Sequence, residues 1–200
     1  MNRIQQIQYL IQVLLQEMPA YQEQARAFPQ DELSQWRLLR SLMNVRPPMP
    51  LDPSFLAVQD ALLSAEREEK GVVEADALPE RPGHPGIALW QGDITRLKAD
   101  AIVDADNDRL LGCFVPCHSC IDNAIHSAAG LQLRDECSRL MEQQGRPEPT
   151  GQAKLTGGYN LPARYVLHTV GPIIHGRVTP QDRELLASCY RSCLKLASEH

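Results

Sequence analysis

From Ile87 onward the chain alternates short apolar runs with longer helical patterns, and this alternation limits the fold more than any other feature of the sequence. Ile87-Ala-Leu-Trp90 reads as a strand, Gln91-Gly-Asp-Ile-Thr95 as a turn and Ala101-Ile-Val103 as a buried strand. Ile121 to Glu142 has the spacing of one helix, with Ile125, Ala129, Leu133 and Leu140 among its apolar residues. Tyr165-Val-Leu-His-Thr-Val170 is a further strand ended by Gly171-Pro172, and Asp182 to about Ser198 a final helix. Strands interleaved with helices predict an α/β layered core.

The residues before this core follow a different period. Ile4, Ile7, Leu10, Ile11, Leu14 and Met18 form one apolar stripe at spacings of three and four. Asp31 is placed to cap a second helix reaching about Met43, with Leu33, Trp36, Leu39 and Leu42 as its inward face. The Arg46-Pro-Pro-Met-Pro50 run must end it, because proline lacks the amide donor and clashes with a continuing helix. Asp52-Pro53 opens a third helix to about Glu69, with Leu56, Val58, Leu62 and Leu63 turned inward. These spacings divide the chain into a helical N-terminal extension (1–72), a linker (73–86) in which Pro79, Pro82, Gly83, Pro85 and Gly86 give turns, and an α/β part (87–200), with Val72-Val73 at the first boundary suiting a short strand.

Bulk properties exclude several function classes. A formal net charge of −5 argues against a general nucleic-acid or acidic-membrane binder. No run approaches the roughly 18 apolar residues of a membrane helix, and the first residues are too polar for a secretory leader. A cytoplasmic setting is expected. Of six cysteines, Cys113, Cys117 and Cys120 cluster with His118 within eight residues, which suggests a transition metal, zinc above all, before a disulfide framework. A closed site of three cysteines and one histidine would be structural; three ligands would leave a position open to water or substrate. Cys137, Cys189 and Cys193 fall on helices and read as small buried hydrophobes. Asp122 follows the cluster at a helix start, where a carboxylate can cap the helix or serve a site. The helix amides beside it can receive phosphate oxygens despite the acidic net charge. His126, one turn on, reads as a core histidine satisfied by a backbone carbonyl.

Taken in order, Gln91-Gly-Asp-Ile-Thr95, Ala101-Ile-Val-Asp-Ala-Asp-Asn107, Gly112 to Gly130, Thr150-Gly-Gln-Ala-Lys154 and Tyr165 to Pro172 resemble a macrodomain, the ADP-ribose-binding fold. The Cys/His insertion and the helical extension resemble, more narrowly, the zinc-dependent macrodomains of microbial protein-ADP-ribose hydrolases. This resemblance implies a three-layer α/β/α macrodomain with a mixed central sheet, preceded by the helical N-terminal subdomain. It implies zinc at Cys113, His118 and Cys120, with Cys117 either a fourth ligand or a spare thiol. Asp93 and Ile94 would hold adenine, although a Gly-Asp turn also caps itself. Asn107 would contact the distal ribose, and Ile121 and Asp122 would lie along the diphosphate and ribose, with Asn107 and Asp122 catalytic.

The chain departs from the usual Asn-Ala-Ala-Asn loop, reading Asp104-Ala-Asp106-Asn107. These acids would oppose a diphosphate, unless they face solvent or meet the metal. The resemblance also leads one to expect a further strand and a small-residue loop after His200, so that the 200 residues stand C-terminally incomplete. The implied activity is removal of ADP-ribose from mono-ADP-ribosylated proteins, with a lipoyl-carrier protein like the glycine cleavage H protein as substrate and a sirtuin-like ADP-ribosyltransferase as functional partner. The alternatives are a non-catalytic ADP-ribose reader and a structural zinc protein with an inactive pocket.

Overall fold

Capping chemistry, together with the apolar stripe, fixes the helices of the first seventy residues in the computed structural model, which describes residues 1–200. Helix α1 (Arg3–Glu17) starts at Asn2, whose side chain accepts from Gln5 N while the Gln5 side chain accepts from Asn2 N. The short α2 (Gln22–Arg26) turns the chain into α3 (Glu32–Val45), capped by Asp31 as the sequence predicts. Pro53 opens α4 (Pro53–Lys70), capped by Asp52.

Two inward faces differ from expectation. In α3 the buried set is Gln35, Leu38, Leu39, Leu42, Met43 and Asn44, and Leu33 falls on the opposite side, 61% exposed. In α4 Phe55, Gln59, Leu62, Leu63 and Glu66 are buried by the same rule, and Leu56 and Val58 are only half-buried. Arg46, 1% exposed, holds the proline-rich connection. Its guanidinium pairs with Glu17 at 2.6 Å and donates to the carbonyls of Met49 and Pro50.

Strand β1 (Val73–Glu74) pairs in parallel with β4 (Leu97–Lys98). Between them β2 (Glu80–Arg81) and β3 (His84–Ala88) form an antiparallel hairpin around Pro82-Gly83, with Gly83 at φ +78°. The strand expected over 87–90 is therefore displaced to 84–88. The local turn directs this pairing, and Ile87 and Leu89 remain exposed.

The central sheet has the order β5 (Ala101–Asp106), β7 (Tyr165–Val170), β6 (Ala153–Gly157). β5 and β7 are parallel and β6 is antiparallel, so the sheet is mixed. Helices α5 (Ile121–Ala129) and α6 (Leu131–Gln144) cover one face, and α7 (Pro180–Ser198) the other. Along β5 residues 102, 104 and 106 are buried beneath α5, whereas Val103 and Ala105 face α7. The layers are α/β/α. The single helix expected over 121–142 is two, because Gly130 at φ +99° takes a conformation that side-chain-bearing residues rarely adopt. A Cβ there would also lie 2.7 Å from Gln59 Nε2.

Two apolar cores result. One lies among α1–α4 and reaches Leu131. The other packs Ile102, Leu110, Ile125, Leu133, Cys137 and Val166 between sheet and helices. Cys137, Cys189 and Cys193 are buried, as their helical placement predicts.

Candidate functional site

The Gly112–Cys120 loop enters α5 through Cys120, whose thiol N-caps the helix by accepting from Asn123 N at 3.4 Å. Cys113 Sγ lies 3.7 Å from His118 Nδ1, and the ligand atoms of Cys113, His118 and Cys120 all lie within 4.8 Å of one another. A tetrahedral zinc with Zn–S near 2.3 Å and Zn–N near 2.05 Å implies S···N separations of about 3.5 Å, so these three side chains fit that ion. Cys117 stands apart. Held at φ +50°, it turns its thiol to α3, 3.4 Å from Ser41 Oγ and 3.6 Å from the Arg37 carbonyl. The three-residue set leaves one tetrahedral position for water or substrate.

The extension grips this loop from behind. Arg40 donates to His118 O and to Asn123 Oδ1 at 2.8 Å, and Asn44 Oδ1 accepts from Cys117 N at 2.9 Å. Asn123, fully buried, donates to the carbonyls of Cys113 and Val115. Arg40, Asn44 and Asn123 escaped the sequence reading. As ordinary polar residues on helices they carry no motif, and only the packing of α3 on α5 gives them this role.

Asn107 follows β5 and bridges to the same loop. Its Nδ2 donates to Gly112 O at 3.3 Å and to Asp122 Oδ2 at 3.5 Å. Asp122, 6% exposed, is pushed up to about 8 by burial first and by the Asp106 charge second. Ile121 is partly exposed at the helix start. Asn107 thus ties Asp122 to the loop that carries Cys113, His118 and Cys120, and Ile121 lies between Cys120 and Asp122 at the helix start.

Asp93 and Ile94 sit elsewhere. Asp93 Oδ1 accepts from Thr95 N at 3.0 Å and from Thr95 Oγ1 at 2.7 Å, capping a short 3₁₀ turn. Asp93 also lines a cleft with Trp36, Arg40, Ala124 and Ser127, a cleft that none of Asn107, Asp122 and the three ligands line. Ile94 packs against the second core.

Two expectations about the acidic residues and one about His126 are corrected. Asp104 is 0% and Asp106 8% exposed, so they do not face solvent, and the group they form is separate from the cysteine cluster. They meet His126 and His168 instead. His126 finds no backbone carbonyl; both ring nitrogens lack a hydrogen-bond partner. Burial drives His126 down to about 4 against the pull of Asp106. Burial raises Asp104 well above the usual carboxylate range, and Asp106 and Asp122 add to this. Asp106 would also rise on burial, but attraction to His126 and a 3.1 Å hydrogen bond with His168 Nδ1 hold it low. His168 was missed in the sequence, although it faces inward on a strand whose register partner is Asp104.

The comparisons with known proteins agree with this architecture. The family model described as Macro domain matches residues 103–200. The chain is 50% identical over 194 residues to a protein-ADP-ribose hydrolase of Treponema medium, covering 96% of this chain and 74% of that protein. It is 51% identical over 166 residues to a protein-ADP-ribose hydrolase of Staphylococcus aureus, covering 82% of this chain but only 62% of that relative's length. Among solved structures, the Trypanosoma brucei macrodomain is 35% identical with a TM-score of 0.53, over 79% of this chain and 65% of that one. The same macrodomain in complex with ADP aligns at 34% identity and a TM-score of 0.53, over 80% and 68%. With half of its residues shared over nearly its whole length with one such relative, this chain belongs to the macro domain family, among the protein-ADP-ribose hydrolases.

Proposed function

We propose that this protein removes ADP-ribose from mono-ADP-ribosylated proteins, with zinc held by Cys113, His118 and Cys120. The observation that carries the reading is the bridge that Asn107 makes between the Asp122 carboxylate and the Gly112 carbonyl, at the loop that carries the three ligand side chains. Zinc bound there would supply Lewis acidity toward a water or a ribose hydroxyl at its open position. The Asn107 amide, able to donate and accept, would orient the distal ribose. Asp122 would align the attacking water or, in its ionised form, stabilise positive charge developing at the anomeric carbon. Water oxygen then bonds to that carbon, the bond to the protein's side-chain oxygen breaks, and the leaving oxygen takes a proton. Asp93 and Ile94 would serve the adenine end and Ile121 the diphosphate side. Asp104 and Asp106 are buried beneath the site and do not present their carboxylates to solvent at its mouth, although the Asp106 charge is still felt at Asp122.

Chelation of the protein, or Cys120→Ala, is expected to lower turnover of a mono-ADP-ribosylated protein by about 10²-fold. Full activity in either case rejects the zinc role. Asp122→Ala should lose turnover by a similar factor while calorimetry still detects free ADP-ribose; binding with no turnover in the wild-type protein would select the reader. Asn123→Ala releases the loop carbonyls and is expected to weaken zinc by about 10–100-fold in a competition titration with a chromogenic chelator.

From resemblance alone we propose a lipoyl-carrier, glycine cleavage H-like substrate and a sirtuin-like transferase as the enzyme that modifies it. Turnover of other modified proteins with none of this carrier would reject that pairing. No helix is long and apolar enough to cross a membrane, and we propose a cytoplasmic setting.

A further inference from the structure

We propose that Asp104, Asp106, His126 and His168 form a second, enclosed site for a first-row divalent cation, separate from the cysteine cluster. The four ligand atoms are Asp104 Oδ2, Asp106 Oδ2, His126 Nε2 and His168 Nδ1, and all lie within 4.8 Å of one another. The imidazole–carboxylate separations are 4.0 and 3.8 Å from His126, and 3.8 and 3.1 Å from His168. A tetrahedron with edges near these values has its centre about 2.2 Å from each corner, close to the bond lengths of zinc or manganese to oxygen and nitrogen.

Two further observations point to a cation. Both Asp104 carboxylate oxygens and both His126 ring nitrogens are buried without a hydrogen-bond partner, in residues 0% and 5% exposed. Orphaned polar atoms of this kind are costly, and a metal is one of the few groups that would satisfy several at once. Two carboxylates and one dication also sum to no net charge, which removes the penalty of an unpaired buried anion. The outer shell suits the role. His168 Nε2 lies 2.9 Å from Thr156 Oγ1 and can keep the ring proton there, so that Nδ1, 3.1 Å from Asp106 Oδ2 without a metal, is available to ligate one. The ligands stand on rigid elements: Asp104 and Asp106 share a face of β5, His168 is the register partner of Asp104 on β7, and His126 descends from α5. Asp122 Oδ1 lies 3.6 Å from His126 Nε2, so the cation would sit directly beneath the proposed reaction site.

The test counts metal. Protein is refolded from denaturant with excess Co²⁺ or Zn²⁺, desalted, and its metal measured by mass spectrometry. Wild-type protein is expected to retain one equivalent more than the isosteric Asp104→Asn, whatever the cysteine cluster binds. A Cys113→Ser/Cys120→Ser variant should keep one equivalent of Co²⁺ with no thiolate charge-transfer band, and its Tm should rise with the metal. Equal metal content in wild type and Asp104→Asn, with circular dichroism showing both folded, overturns the site. So does a folded cysteine variant that retains none.

Discussion

Arg134→Met is expected to destabilise the protein by about 3–5 kcal/mol, seen as a fall in the urea midpoint at unchanged slope. Arg134 is 3% exposed, and its guanidinium ties the two cores together. Nη1 donates to the carbonyls of Met43, Asn44 and Arg46 at 2.9, 3.0 and 2.6 Å, and Nε donates to Leu111 O at 2.7 Å. Three of these acceptors are the carbonyls that the end of α3 leaves without helical partners, where a cation also meets the negative end of the helix dipole. Methionine matches the stem but leaves all four carbonyls unpaired, each at a cost of about 1–3 kcal/mol before relaxation. Burial lowers Arg134 to about 10, so it stays charged at neutral pH. The guanidinium also lies 4.4 Å from the Phe114 ring, so the same change loosens the loop that carries Cys113. Arg134→Lys keeps the charge but not the fork, and should recover only part of the loss. A loss below about 1 kcal/mol would show that α3 and the loop are held by apolar packing instead.

Helix starts were legible where their chemistry is local: Asp31 and Asp52 sit where a cap must sit, whereas α5 is capped by the Cys120 thiol and not by Asp122, which the sequence offered as a cap. The grouping of Cys113, His118 and Cys120 was legible for the same reason, these residues being close in sequence before they are close in space. What stayed hidden depends on pairing between distant segments. Asp104 and His168 are 64 positions apart, and only the β5–β7 register brings them together. Period-two alternation could have placed Asp104 and Asp106 on one buried face, but Ile102 was the one apolar residue there to signal it. Ile87 misled in the opposite direction, because a Pro-Gly turn pairs its strand locally and leaves it exposed. Asp93, whose sequence context suggested both a cap and an adenine contact, is seen as a cap.

In chelator-treated protein, Asp104→Asn should stabilise increasingly as pH rises. The folded state keeps a proton on Asp104 because burial, and then the Asp106 and Asp122 charges, oppose ionisation. The unfolded chain releases that proton near pH 3.9. A folded value above the unfolded one gives full stability below the unfolded value and a progressive loss as pH rises toward the folded one. The loss is about 1.4 kcal/mol for each pH unit over which the folded state alone holds the proton. Asparagine has no such proton and escapes it. Asp122, pushed up to about 8, adds a loss of the same sign to both proteins. His126 acts the other way: with a folded value of about 4 against an ordinary 6.5, it costs stability as pH falls from 6.5 to 4. That term is present in both proteins, and because protonated Asp104 and asparagine are both neutral, neither adds a charge that would shift it, so the variant–wild-type difference reports mainly on Asp104. Urea unfolding in EDTA at pH 5, 6 and 7 should show this difference widening with pH, by at most about 1.4 kcal/mol per unit. A constant difference would mean that Asp104 is ionised in the folded state and has found a counter-charge. Saturating the enclosed site with a divalent cation should turn the sign around, because the metal holds Asp104 as a carboxylate and asparagine would then be the poorer ligand.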